Sequence, residues 1–168
     1  MWENSDWLYE GLHGFRTDFS CDSQMFRVCQ DISDALDVST RLEGIMIDFS
    51  KAFDLVRYDR LLKKMSDSVA DLRVLVWIRE FLSCRSESVR VGTHYSEKVR
   101  VTSGVPQESV VDPLLFLAYV NDISRNTESK IRLFADDCIV YRNILSPKDV
   151  EILQRDLDRL GSGLKKTK

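Results

Sequence analysis

The chain has 168 residues, 43% hydrophobic and 30% charged, the balance of a folded protein with room for a core rather than of a disordered tail. No apolar run approaches the length of a membrane span, and the N-terminus lacks the basic-then-apolar layout of a signal peptide. An intracellular protein of nucleus or cytoplasm, with no membrane segment, is therefore expected. A formal net charge of −3 excludes a chain that attracts nucleic acid as a whole, so any such binding needs a local basic face.

Residues 1–19 are weakly periodic; Trp2, Trp7, Leu8, Leu12 and Phe15 suit a core edge. Met25, Val28, Cys29, Ile32, Ala35 and Leu36 then recur at helical spacing, with Ser20 or Asp22 available as N-cap. Gly44 to Phe49 is a short apolar run without alternation, which predicts a strand buried on both faces. Asp48 ends it, an expensive place for a carboxylate unless it is paired, capping or holding a metal. After a bend, Leu61, Leu62, Met65 and Val69 predict a helix with Asp59 as N-cap. Leu72, Leu75, Ile78, Phe81 and Leu82 predict another.

Ser88–Val91 and Lys98–Val101 alternate around Gly92-Thr93-His94-Tyr95, which predicts a hairpin. Val89, Val91, Val99 and Val101 fall on one face. Arg90 and Arg100, with Arg85 and Lys98 nearby, form a candidate basic strip. A solvated hairpin face is the plainer reading, since Glu87 and Glu97 dilute the charge.

Ser103-Gly104-Val105-Pro106-Gln107 reads as a loop able to offer backbone donors and an amide to a nucleotide. Asp112-Pro113 opens a helix that is apolar nearly all round through Val120. Two β-branched runs follow, joined at Asp136-Asp137 by a predicted tight turn. Ser146-Pro147-Lys148-Asp149 opens a last helix, lined by Val150, Leu153, Leu157 and Leu160, that Gly161 can end. Helices alternate with antiparallel strands without a βαβ rhythm, so the class is α+β. The four cysteines form no C-x-x-C pair and read as reduced core residues.

Two neighbouring aspartates repel each other unless a cation lies between them, and Mg²⁺ is the ion that oxygen-only ligands sharing a shell with phosphate favour. An ordinary surface Asp-Asp turn is the other reading of the same residues. If the strand ending at Asp48 pairs with the Asp136-Asp137 hairpin, three carboxylates meet, a set suited to two-metal phosphoryl transfer.

The chain resembles the reverse transcriptase domain of non-LTR retrotransposons, the type encoded by long interspersed elements. The matching stretches are His13-Gly14-Phe15-Arg16 with Ser20-Cys21, Ile47-Asp48-Phe49-Ser50-Lys51-Ala52-Phe53-Asp54, Asp59-Arg60-Leu61-Leu62-Lys63-Lys64, Thr102 to Gln107 with Ser109 and Pro113-Leu114-Leu115-Phe116, Asn121-Asp122, and Leu133-Phe134-Ala135-Asp136-Asp137. They occur in the family's order and spacing. The resemblance implies one partial domain over 1–168, a polymerase palm-like antiparallel sheet with packed helices and part of the fingers, the thumb absent. It implies an RNA-directed DNA polymerase acting on an RNA template, a DNA primer and deoxynucleoside triphosphates, with Mg²⁺ (or Mn²⁺) on Asp48, Asp136 and Asp137. It implies that Phe53 excludes a 2′-hydroxyl, that Phe49 and Ala52 line the nucleotide site, that Gln107 contacts the nucleotide and that Arg16 approaches the triphosphate. Nothing in the resemblance speaks to oligomeric state.

The departures matter as well. Glu108 stands where the family carries a glycine, adding bulk and negative charge beside a triphosphate. Asp112 replaces the next family glycine, and Asp18-Phe19 replaces a Gly-Arg pair. These changes, and a chain that stops before the thumb, point to a weak or inactive copy. The alternative function is thus a catalytically inactive palm-like remnant with at most weak metal or nucleic-acid binding.

Overall fold

A computed structural model describes residues 7–49, 51–68, 71–107 and 109–165. Their order of elements is α1 (Cys21–Asp37), β1 (Arg41–Asp48), α2 (Tyr58–Ser68), α3 (Leu72–Leu82), β2 (Ser86–Glu87), β3 (Arg90–Val91), β4 (His94–Tyr95), β5 (Val99–Arg100), α4 (Asp112–Val120), β6 (Lys130–Phe134), β7 (Asp137–Ile144) and α5 (Pro147–Lys165). This is an α+β chain of helices and antiparallel strands. It divides into two compact units, residues 1–50 with 120–168 and residues 51–119.

The first unit is built on an antiparallel sheet of order β1-β7-β6. The apolar runs on either side of the Asp-Asp pair form β6 and β7, and β1 lies along β7 with Arg41 opposite Ile144 and Asp48 opposite Asp137. Directly opposed residues share a face. Ile131, Leu133, Cys138 and Val140 are buried on one side. Gly44, Met46 and Asp48 lie on the other and are exposed, Met46 at 83%. The expectation of a strand buried on both faces is thus corrected: β1 is an edge strand whose residues Gly44, Met46 and Asp48 are exposed, although α1 covers the same face of the sheet over Tyr141. At the far edge, Leu12 forms a parallel bridge to Leu133. His13 N–H donates to Leu133 O (3.0 Å), and Leu133 N–H to Gly11 O (2.8 Å).

Helix α1 packs on β1 and β6, and α5 on β7. Ser20 caps α1 in a reciprocal box with Ser23. The docked face of α1 is not its apolar stripe. Gln24 and Ala35 are buried and Asp31 is nearly so, whereas Met25, Cys29, Ile32 and Leu36 are exposed. Polar anchors set this rotation. Gln24 donates to Gly11 O (3.3 Å), and Asp31 accepts from Lys130, Tyr141 and Arg132, the last at 3.0 Å. At the start of α5, Asp149 accepts from Ser146 N–H (3.0 Å) and Ser146 Oγ (2.9 Å). The helix runs through Gly161 to Lys165 rather than ending at the glycine.

In the second unit α2 packs on α3, with Leu61, Met65, Ile78 and Leu82 buried. Helix α2 begins at Tyr58, so Asp59 lies inside it and pairs with Arg57 (2.7 Å) instead of capping. Helix α4 begins at Asp112, one residue before the expected start, and buries Leu115 to Ala118. Of the four cysteines only Cys138 is buried; Cys21, Cys29 and Cys84 are exposed, contrary to a core role.

Candidate active site

Pairing of β1 with β7 puts Asp48 and Asp137 directly opposite each other on one face of the sheet, both exposed. Asp137 also opposes Phe134 across the hairpin, which leaves Ala135 and Asp136 as a two-residue turn. The three aspartates therefore gather at one end of the sheet, two on strands and one on the turn between strands. Their hard oxygen donors suit Mg²⁺ or Mn²⁺. Among the described residues, however, no three His, Cys, Asp or Glu side chains are drawn into a cluster that would hold a metal by themselves. Substrate phosphates commonly complete such a shell.

The turn is held from behind. Ala135 has φ +54°, a left-handed conformation that costs an alanine about 1 kcal/mol. Gly14 lies against it: a Cβ there would meet Ala135 Cα at 3.0 Å and also approach the Ala135 nitrogen. His13, one residue earlier, is fully buried. Its Nδ1 lies 2.9 Å from Ser23 Oγ, whose own proton goes to Ser20 O (2.8 Å). Ser23 therefore accepts, and His13 carries its proton on Nδ1. Nε2 is left with no hydrogen-bond partner among the described residues. Burial, then the positive charges of Arg27, Arg132 and Arg16, push this histidine down to about 4.

Sequence reasoning missed the polar pins around this sheet. Burial alone would raise the pKa of Asp31, but the hydrogen bonds from Lys130, Tyr141 and Arg132 outweigh it and hold the carboxyl below its usual range. Burial pushes the Tyr141 phenol up to about 12. Asp156 in α5 is fully buried and accepts from Glu128 N–H (2.9 Å), Ser129 N–H (2.8 Å) and Ser129 Oγ (2.8 Å). Burial again opposes, and these bonds again win, so its pKa is lowered. The available signal was position: Asp156 interrupts the apolar stripe of Leu153, Leu157 and Leu160.

The other predicted residues are held by partners of their own. Phe49 is buried directly after Asp48. Arg16 donates to Leu12 O (2.9 Å) and Tyr9 O (3.2 Å), and its guanidinium lies 4.2 Å from the Phe19 ring centroid. Burial, then Arg27, lowers its pKa. In the second unit Ala52 and Phe53 sit half-buried in the turn at residues 51–55. The Phe53 ring stacks on Phe116 at 4.4 Å.

Several donors of the Gly104 loop are engaged within the chain. Gly104 N–H donates to Val56 O (2.9 Å) and Val105 N–H to Phe53 O (3.0 Å). Gln107 Nε2 donates to Asp54 Oδ1 (2.7 Å). Gly104 needs to be glycine: φ is +81°, and a Cβ would meet Asp54 O at 2.8 Å. Glu108 lies outside the described residues, as do Trp2 and Val69.

Comparison with known proteins bears on this arrangement. A family profile described as reverse transcriptase (RNA-dependent DNA polymerase) matches residues 9–168. The probable RNA-directed DNA polymerase from transposon X-element of Drosophila melanogaster is 31% identical over 140 residues, 80% of this chain and 15% of that protein. The probable RNA-directed DNA polymerase from transposon BS of the same fly is 33% identical over 110 residues, 66% of this chain and 12% of the relative. The RNA-directed DNA polymerase from mobile element jockey, also from Drosophila melanogaster, is 29% identical over 135 residues, 76% of this chain and 15% of the relative. The chain thus spans about 15% of the length of the curated relatives it matches.

Proposed function

Because the chain belongs to the reverse transcriptase (RNA-dependent DNA polymerase) family, we propose that it is a palm-like part, with some of the fingers, of a retrotransposon polymerase. In this reading it serves RNA-templated DNA synthesis, taking an RNA template, a DNA primer and deoxynucleoside triphosphates. The observation that carries the reading is the register that sets Asp48 against Asp137, both exposed, with Asp136 on the adjoining turn.

Asp48, Asp136 and Asp137 would hold Mg²⁺ or Mn²⁺, which when bound supply a polarised primer hydroxyl and neutralise the leaving phosphates. The residues of the chain do the rest. Two strand ends fix the spacing of two carboxylates, and the exposure of both leaves them accessible to a primer terminus. His13 and Gly14 brace the turn that carries Asp136.

The test is primer extension on an RNA template with deoxynucleotides and Mg²⁺ or Mn²⁺. Extension that Asp48→Asn or Asp136→Asn abolishes supports the reading; incorporation unchanged in those variants refutes it. A second reading, the inactive remnant, is favoured by the engaged Gln107 amide and the filled donors of the Gly104 loop. It expects Mn²⁺ to bind at the carboxylates without extension.

A further inference from the structure

The basic strip noted in the sequence becomes a face in the structure. Strands β2 and β5 pair Ser86 with Arg100 and Glu87 with Val99, and β3 and β4 pair Arg90 with Tyr95 and Val91 with His94. From the first pair to the second, one strand advances four residues and the other five. The return strand therefore carries one extra residue, a bulge within 96–98. Ser96 N–H still donates to Val89 O (2.9 Å), and Val101 N–H to Arg85 O (2.9 Å).

The ribbon thus has two unlike sides. Val89, Val91, Val99 and Val101 share one side with Arg85, Glu87 and His94. Ser86, Arg90, Tyr95 and Arg100 share the other, and alternation adds Lys98 to them. Glu87 lies on the valine side; Glu97, in the bulge two residues after Tyr95, falls by the same alternation on the cationic side and offsets part of its charge.

Three observations single out the second side. First, residues 86–100 are all exposed. Second, among the described residues no carboxylate pairs with Arg90, Lys98 or Arg100, a property they share with scattered exposed cations such as Lys63, Arg79 and Lys148 but here found on three cations of one ribbon face. Third, Arg90 is arranged beside an aromatic. Its Nε–H donates to Gly92 O (2.8 Å), and its guanidinium lies 5.6 Å from the Tyr95 ring centroid. Tyr95 is itself 65% exposed. Unpaired cations spaced along a ribbon beside an open aromatic match the chemistry of a single nucleic-acid strand, phosphates on the cations and a base on the ring. The base of the ribbon is tied down: Arg85 donates to Gly104 O (2.8 Å) and to Tyr58 Oη (3.2 Å).

We infer that the Arg90–Tyr95–Lys98–Arg100 face is a binding surface for single-stranded nucleic acid, with phosphates on the three cations and one base stacked on Tyr95. The inference rests on the reading that this chain handles nucleic acid and names a surface for the strand outside the aspartate site.

The experiment is fluorescence anisotropy of a labelled 12-nucleotide single strand with the full chain, in EDTA and without nucleotides. Each phosphate contact on a single strand contributes about fivefold at 0.1 M salt, so three contribute roughly a hundredfold, with a slope of log affinity on log salt of about −2. Arg90→Ala/Lys98→Ala/Arg100→Ala should lose that factor and most of the slope. A control of identical net charge, Lys63→Ala/Arg79→Ala/Lys148→Ala, should bind nearly as the parent does. Tyr95→Ala should weaken binding about fivefold or more, and Tyr95→Phe should restore it. Circular dichroism of each variant should match the parent, since every side chain removed is exposed.

No binding by the parent overturns the inference, as do equal losses in the two triple variants. Tighter binding of a duplex of the same length, or of poly-glutamate, overturns it too and assigns the face to another partner. Because the assay needs no metal or turnover, failed primer extension with intact strand binding sinks only the polymerase reading. Extension that survives the ribbon variants alongside unchanged binding sinks only this one.

Discussion

Gly14 and Ala135 are pressed backbone to backbone, and that contact leaves no room for a side chain at residue 14. The consequence reaches the neighbouring carboxylate, because Ala135 already occupies a left-handed conformation and directly precedes Asp136. Gly14→Ala should therefore displace the turn and destabilise the chain by about 1–3 kcal/mol, the usual cost of overpacking. Chemical denaturation measures the loss, and amide shifts of Ala135, Asp136 and Asp137 measure the displacement. Unchanged shifts would mean that the turn is set by its own hairpin and not by Gly14.

His13 makes stability depend on pH. The folded state holds it at about 4, below its ordinary value near 6.5. As pH falls, the unfolded chain takes up the proton first, since protonation of the folded state would put charge on a buried Nε2 with no acceptor. Stability is thus full above about 6.5 and declines between 6.5 and 4, by up to about 3 kcal/mol. Asp31, Asp149 and Asp156 contribute only below that window, because their pKa values are lowered from the ordinary carboxylate value. Denaturation midpoints at pH 7 and pH 5 should differ for the parent and differ less for His13→Gln. The same pH dependence in both proteins would remove His13 as its source.

The elements of the fold were legible because their patterns are local. Apolar runs on either side of Asp136-Asp137 dictated β6 and β7, and Ser20 with Ser23 dictated the start of α1. The orientation of α1 was not legible. It docks through Asp31 and Gln24, and an acidic residue on an amphipathic helix ordinarily faces water. The partners of Asp31 lie at Lys130, Arg132 and Tyr141, far along the chain, where no periodicity announces them. At the site, residue types and strand ends were readable, but the opposition of Asp48 to Asp137 depends on strand register, a property of two segments together. The engagement of Gln107 with Asp54 was beyond reach for the same reason.

Asp156 anchors α5 to the segment that starts β6. Asp156→Ala leaves two backbone donors, at Glu128 and Ser129, and one hydroxyl without their acceptor. Loss of a buried, hydrogen-bonded carboxylate costs about 3 kcal/mol. Asp156→Asn keeps one acceptor oxygen and should recover part of that loss. Urea denaturation of the three proteins should rank parent, Asn, Ala; an alanine variant as stable as the parent would show that water satisfies these donors equally well.

Phe53 is a packed aromatic and the proposed 2′-hydroxyl gate, and a pair of substitutions tests the second role apart from the first. Its ring stacks on Phe116 at 4.4 Å with an interplanar angle of 30°, and it is half-buried, so Phe53→Ala should cost about 2 kcal/mol, below the range for a fully buried phenylalanine. Phe116→Ala removes the same stack from the other side and should cost more, since Phe116 is 2% exposed. If the exposed part of the Phe53 ring also meets the sugar of a nucleotide, only Phe53→Ala should relax discrimination against a 2′-hydroxyl. Titration with deoxy- and ribonucleoside triphosphates reads this without turnover. The ratio of the two affinities should fall about tenfold in Phe53→Ala, which is 1.4 kcal/mol, and stay at the parent value in Phe116→Ala. Equal ratios in all three proteins would leave Phe53 as a core aromatic alone. A fall in both variants would mean that the stacked pair acts as one unit, shaping the pocket rather than gating it.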